Sequence, residues 1–347
     1  MKAGIIGARG SGKSTVFHAL TGLEPQSGAG PKNRARPGQI KVPDPRLDEL
    51  ERIYRAPKKV SVELTVIDFA PGIKEEKPGA ALDSTLIPLM RDLDAILFVI
   101  PRFSGSAVSL LTALEALESE LIFADLEQVE RRLERLRKER VVDEIERAAL
   151  QLALTQLEQG RPLRCLQLQP QEERVLSHFC FLSQKPALVA LNEDPEVSVT
   201  GLAPAEVELF ASHGLEALPI AAAFEAELWE LAEDARGELL REAGLSAPAR
   251  DRLIAALFAR LGLITFYTAG PPEAHAWSLR AGSSALEAAG RIHSDIARGF
   301  IRAEVIGYAD FIAHGSEAGA RAAGKLRLEG KEYVMQDGDI IHIRFKI

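Results

Sequence analysis

The residues Gly7-Ala8-Arg9-Gly10-Ser11-Gly12-Lys13-Ser14 read as Gly-x-x-x-x-Gly-Lys-Ser, a spacing suited to holding a polyphosphate. A loop that wraps a triphosphate must turn successive backbone N–H groups inward, which glycine permits through positive φ and close approach. The Lys13 ammonium then reaches the β- and γ-phosphates and carries the catalytic charge neutralisation. Ser14 offers its hydroxyl to Mg²⁺, and Arg9, Gly10, Ser11, Gly12 and Thr15 complete the expected nucleotide contacts. Asp68, at the end of the alternating run Val60–Asp68, is the second expected metal contact, held through water. Asn192, closing the apolar run Pro186–Asn192, is placed to read a base edge. Ala221 and Ala222, in the small-residue turn after Leu218-Pro219-Ile220, let backbone groups approach that base.

These residues need a strand–loop–helix unit and a parallel sheet. A short apolar run precedes the loop, and Val16-Phe17-His18-Ala19-Leu20 follows it as a helix ending near Thr21-Gly22. Asp94-Ala95-Ile96-Leu97-Phe98-Val99-Ile100 is a continuous apolar strand of the kind buried on both faces. Between Glu24 and Arg46 the Gly, Pro and basic content predicts a long loop with no regular element. Switch I of GTPase-like folds falls here and normally supplies a threonine to Mg²⁺. Residues 22–60 contain none, and Ser27 is their only hydroxyl besides Tyr54. Asp68-Phe69-Ala70-Pro71-Gly72 resembles the Asp-x-x-Gly of switch II, but Pro71 has no N–H for a γ-phosphate and Ile73 stands where a water-orienting glutamine is usual.

Residues 107–123 read as helix. A seam of Leu126, Val129, Leu133 and Leu136, answered by Leu150, Leu154 and Leu157, predicts an antiparallel helical hairpin. Its first arm carries six basic and two acidic residues between Arg131 and Arg140, a local charge of about +4 that reads either as a solvated face or as a contact for RNA phosphate. From Leu263 onward the chain turns into short strands (265–268, 276–279, 327–328, 332–334, 340–345) around a helix at Ser284–Ser294. Its ten Lys plus Arg balance ten Asp plus Glu, so by charge it is an interaction module rather than a nucleic-acid grip.

With 347 residues and 46% hydrophobic content the chain can bury several cores, and a net charge of −8 gives no global reason to bind nucleic acid. Cys165 and Cys180 do not make a disulfide framework; they read as small buried apolar side chains in a reducing compartment. No apolar run approaches the ~18 residues of a membrane span and no signal peptide is evident, so the expectation is a cytoplasmic, membrane-free monomer.

Several segments resemble the YchF family of Obg-related P-loop ATPases and GTPases. They are Val42-Pro43-Asp44-Pro45-Arg46-Leu47-Asp48, Asp94-Ala95-Ile96-Leu97, Val129–Leu136, Phe224-Glu225-Ala226-Glu227-Leu228, Gly299–Val305 and Gln336-Asp337-Gly338-Asp339. The resemblance covers nearly the whole chain. It implies an α/β fold: a P-loop G-type domain (1–124 and 163–262), an inserted antiparallel helical hairpin (125–162) and a C-terminal ubiquitin-like (β-grasp) TGS domain (263–347). It further implies hydrolysis of ATP or GTP with Mg²⁺ and association with the ribosome in translation or stress control. Lys13, Ser14 and Asp68 match the family's phosphate-loop and switch II residues, and Asn192 the first residue of its Asn-x-x-Glu base motif. Three departures mark a divergent member: Arg34-Ala35-Arg36-Pro37 in place of the threonine-bearing segment, Pro71, and Pro195 where the base-reading glutamate is expected. They leave open a nucleotide-gated binding protein with little or no hydrolysis. A GTP-specific switch is disfavoured by the missing Asn-Lys-x-Asp, and a small-molecule kinase by the lack of an acceptor pocket.

Overall fold

The computed structural model describes residues 1–24, 35–69, 86–103, 109–139, 143–195, 201–245 and 247–346. The expectations for Ser27, Arg34, Pro71, Gly72, Ile73 and Arg140 fall outside them. The chain divides into two compact units, Met1–Ile40 with Leu64–Leu257, and Lys41–Glu63 with Phe258–Ile347. The segment 41–63, assigned from sequence to the first part of the G-type domain, thus clusters with the carboxyl-terminal residues.

The first unit is built on six strands in the order β2-β4-β1-β5-β6-β7: β1 (Lys2–Ile6), β2 (Ala35–Lys41), β4 (Glu63–Phe69), β5 (Ala95–Pro101), β6 (Ala187–Asn192) and β7 (Ala217–Ile220). From β4 to β7 all neighbours are parallel. Every residue of β6, and all of β5 but Pro101, is buried, which explains their unbroken apolar composition. Registers Ile5↔Asp68, Pro101↔Asn192 and Asn192↔Ile220 bring the carboxyl ends of the strands to one rim. On one side β1 pairs with β4 and on the other with β5, so the loop leaving β1 sits at the topological switch of the sheet, where ligands of open α/β folds are held.

Strand β2 corrects the expectation of an irregular 24–46. Residues 35–41 are extended despite Pro37 and Gly38, because β2 lies at the sheet edge, where a missing N–H costs no ladder bond. Val60–Asp68 is also not one strand: β3 (Lys59–Val60) and β4 are separate, and β3 joins the other sheet.

Helix α1 (Lys13–Thr21) follows the loop and α2 (Pro45–Tyr54) lies in the second unit; α3 (Ile87–Arg91) precedes β5. One continuous helix, α4 (Leu110–Leu136), replaces the two segments expected between 107 and 136. It begins where the Ser109 side chain accepts from Thr112 N at 3.1 Å. Leu114, Leu117 and Leu121 pack it on the sheet, whereas Val129 and Leu136 share a separate core with Ala149, Leu150, Ala153 and Leu157 of α5 (Glu144–Glu158) and Leu176 of α6 (Pro170–Ser177). Each arm thus buries its apolar stripe on the other rather than in water.

The second unit has the sheet β11-β10-β12-β8-β9-β3, with β8 (Leu263–Ala269), β9 (Ala274–Arg280), β10 (Phe300–Gly307), β11 (Arg327–Glu329) and β12 (Asp339–Phe345). Pairing is antiparallel except β12 with β8 and β3 with β9. The helix Ala285–Ile292 is capped by a reciprocal Ser284–Glu287 box and lays Ala285, Ala288 and Ala289 against Phe266, Ala303, Val305 and Ile341. The strand expected at 332–334 reduces to a single bridge between Val334 and Ser284. Within this unit Asp44 caps α2, pairs with Arg46 at 3.0 Å and accepts from the Tyr267 hydroxyl, and Arg46 reaches Asp337 at 2.6 Å. The segments 42–48 and 336–339 therefore brace each other. Both cysteines are free and exposed, contrary to their reading as buried side chains. Among the described residues no helix is long and apolar enough to cross a membrane.

Candidate functional site

The site is built where β1 ends and α1 begins. Gly10 and Gly12 have φ of 80° and 88°, so the loop turns through the left-handed region where only glycine is unstrained. Gly12 also has no room for a side chain: a Cβ there would collide with Asn192 Nδ2. Val16 N donates to Gly12 O at 2.8 Å, and no side chain caps the start of α1, which leaves its first N–H groups and partial positive charge available to an anion. Arg9 and Gly10 are exposed and Ser11 is buried.

Lys13 Nζ donates to Gly7 O at 2.7 Å and to Ala8 O at 2.9 Å. Its charge is held over the loop that a phosphate would fill. Ser14 Oγ donates to Asp68 Oδ2 at 3.1 Å, joining the first turn of α1 to the end of β4. The other oxygen, Asp68 Oδ1, is buried without a partner among the described residues, as is Ser11 Oγ. Burial pushes the Asp68 carboxyl above its ordinary range; the Ser14 hydroxyl, Lys13 and Arg36 oppose that rise. Arg36 on β2 rests over the Phe17 ring of α1, 5.1 Å from its centroid. A hydroxyl and an under-coordinated carboxylate are the hard oxygen donors a magnesium ion takes, one directly and one through water, so the residues present fit that ion. Among the described residues no group of three or more His, Cys, Asp or Glu could hold a metal.

Asn192 has both ends of its amide occupied. Nδ2 donates to Ser11 O at 3.1 Å, and Oδ1 accepts from Ala222 N at 3.3 Å. It braces the loop against the turn that follows β7, where Ala221 and Ala222 are buried. Glu193 is turned to Arg102, 2.8 Å away, and Arg102 also reaches Glu206 at 2.8 Å. Thr15 is half-buried on α1.

Sequence reasoning passed over Trp229. Its Nε1 donates to Ala19 O at 2.9 Å on α1, and Arg250 and Arg236 lie over its ring at 4.3 and 5.5 Å. Buried Glu225 accepts from Ala249 N and Arg250 N and so caps the helix Ala249–Arg260. The segment Phe224–Leu228, notable only for its resemblance, thus contributes a helix cap and, next to it, a prop for α1.

Comparison with known proteins extends the geometry. Residues 263–346 match the family model YchF-GTPase_C, described as a protein of unknown function (DUF933). The chain is 36% identical over 364 residues to the ribosome-binding ATPase YchF of Bacillus subtilis, covering all of both chains. It is 34% identical over 360 residues to that of Escherichia coli O157:H7, covering all of this chain and 99% of the relative. The structure is similar to the YchF GTPase of Schizosaccharomyces pombe, with a TM-score of 0.85 and 28% identity over 99% of this chain and 97% of that one.

Proposed function

Because the chain belongs to the YchF family, we propose that it is a Mg²⁺-dependent P-loop nucleoside triphosphatase that hydrolyses ATP, accepts GTP, and acts on the ribosome as a cytoplasmic monomer. The observation that carries this reading is the Ser14–Asp68 pair, with its unpartnered buried oxygen, at the residue next to Lys13.

The loop N–H groups and the start of α1 hold the phosphates, and Lys13 exchanges the carbonyls of Gly7 and Ala8 for the β- and γ-phosphate oxygens. Ser14 and Asp68 hold the magnesium ion, which supplies charge neutralisation at the transferred phosphoryl group when bound. Asn192 keeps the loop and the base-side turn at Ala221 and Ala222 in register, so that positioning rather than covalent chemistry does the catalysis. In this reading α4 and α5 form the inserted helical hairpin and 263–347 the TGS module, the elements that dock the ribosome. The basic stretch from Arg131 to Arg140 supplies phosphate contacts.

Phosphate release from ATP with Mg²⁺, abolished by Lys13→Ala in a protein with unchanged melting behaviour, is the expected result. Competition of ATP against GTP sets the base preference. Tight binding with no phosphate release even beside ribosomes supports the second reading, a nucleotide-gated binding protein, which Pro71 in the Asp-x-x-Gly segment favours.

A further inference from the structure

A cleft of about 290 Å³ that shares no residue with the phosphate loop lies where α3, α4 and the turn after α6 meet, lined by Arg91, Gln128, Arg131, Arg132, Arg135 and Phe179. Among the described residues four guanidinium groups line it and no carboxylate does. Arg132 is a fixed wall, its fork on Glu146 at 2.6 and 2.8 Å and its third nitrogen on Glu139 at 2.7 Å. The others are less committed. Arg131 is 3.6 Å from Glu127 and mostly exposed, and Arg135 has no ion pair among the described residues. Arg91 is 3.7 Å from Asp125, whose oxygens already accept from Leu182 N, Ser183 N and Ser183 Oγ at 2.7–2.9 Å. Arg91 also donates to Cys180 O at 3.4 Å and to Ala124 O at 3.5 Å, so the charges nearly balance and the donors left at the mouth are those of Arg131 and Arg135.

The remaining wall is aromatic and polar. Phe179 has one face covered by Phe181, with centroids 5.2 Å apart and planes within 6°. The next residue, Cys180, holds the left-handed region at φ 53°, unusual for a side chain of its size, and this turns the chain just past the ring. Gln128 Nε2 donates to Phe179 O at 3.0 Å, and Gln128 Oε1 is buried with no partner among the described residues. An aromatic face, an orphaned acceptor and several guanidinium groups are the parts that hold an unstacked nucleotide: ring against ring, exocyclic amine to acceptor, phosphate to arginine. The volume suits one nucleotide, not a larger cofactor.

We propose that this cleft binds a single ribonucleotide unit whose base carries an exocyclic amine, its base against Phe179 and its phosphate among Arg91, Arg131 and Arg135, with adenine nucleotides as the probe. The assignment stands apart from the phosphate-loop reading, and the test keeps them separate by using the full chain carrying Lys13→Ala. Binding of adenosine monophosphate and of an unstructured hexaadenylate is followed by calorimetry at several salt concentrations. Saturable binding of either is expected, weakened about tenfold by Arg135→Gln with a shallower salt slope, weakened about tenfold by Phe179→Leu, and restored by Phe179→Tyr. Comparable affinity for both probes assigns a free nucleotide, and hexamer binding a hundredfold tighter assigns one unit of a strand; either supports the site. Binding indifferent to Phe179→Leu and Arg135→Gln, or inorganic phosphate bound as tightly as the nucleotide, overturns it and leaves a solvated basic face.

Discussion

Ser14 Oγ and Asp68 Oδ2 stand 3.1 Å apart, so one hydrogen bond ties the helix that follows the phosphate loop to the strand beside it. Both atoms are the proposed metal contacts. The carboxylate is buried, with its titration raised chiefly by that burial. The folded protein therefore binds this proton more readily than the unfolded chain does. Without ligand, the charged form weakens folding above the raised value, and that cost fades as pH falls through it toward 3.8. Asp68→Asn should melt no lower than the parent at pH 7, a gain that vanishes near pH 4, while magnesium-dependent nucleotide affinity falls at least tenfold. Scanning calorimetry across pH, paired with nucleotide titration, checks both halves; a large loss of melting temperature at pH 7 would count against the buried-charge argument.

Asn192 is predicted to matter for the empty loop as much as for the base. Asn192→Ala strands Ser11 O and Ala222 N in a buried place, which costs about 1–3 kcal/mol. Urea unfolding without nucleotide should show the loss. An unchanged midpoint would mean that the two bonds contribute nothing to the fold.

Glu118 on α4 pairs with Arg164 and lies 2.6 Å from His213 Nδ1, all within the first unit. Glu118→Ala leaves the Arg164 guanidinium buried without its counter-charge, for a loss of roughly 3–5 kcal/mol. Glu118→Gln, which keeps the shape, should lose less. The two denaturation curves compared side by side test whether charge or volume dominates.

Asp337 accepts from Thr265 N at 2.8 Å and from Arg46 at 2.6 Å. Asp337→Ala should cost about 1 kcal/mol, because the N–H of buried Thr265 loses its acceptor and Arg46 loses one of its two carboxylates. Protection of that amide from hydrogen exchange reports the change directly.

His275 gives the protein an acid-sensitive point. Burial lowers its titration below 6.5, opposed by Glu273. Protonation is thus harder in the folded state, so the stability tied to this histidine is full above about pH 6.5 and is lost as pH falls below it. Its ring is stacked on Trp277 with centroids 3.6 Å apart. His275→Gln should flatten the fall of the urea midpoint between pH 7.5 and 5.5, and an equally steep fall in the variant would place the acid sensitivity elsewhere.

Local rules explain what could be read from the chain beforehand. The loop at 7–14 is spelled by glycine and lysine spacing, and β5 and β6 by unbroken apolar runs, because each depends on residues adjacent in sequence. Strand β2 was hidden by Pro37 and Gly38, whose turn signal is overridden at a sheet edge. The buried acids Glu118, Asp125 and Glu225 look like ordinary polar positions on helices. Their partners Arg164, Ser183 and Ala249 lie 46, 58 and 24 residues away, so only the folded chain reveals them. Asn192 ends its strand as the apolar run predicts, but its bonds to Ser11 and Ala222 follow from sheet order, which spacing does not encode.

Because residues 41–63 cluster with the carboxyl-terminal residues, a fragment begun at Leu263 would arrive without α2 and without the edge partner of β9. It would lack the carboxylate that takes the Tyr267 hydroxyl, and Tyr54, whose ring stacks on Phe311 at 5.6 Å. Removing the tail would likewise strip that inner segment of its companions. Deletion studies that treat the last 85 residues as a detachable appendage would therefore report on two damaged polypeptides rather than on two parts of an intact one.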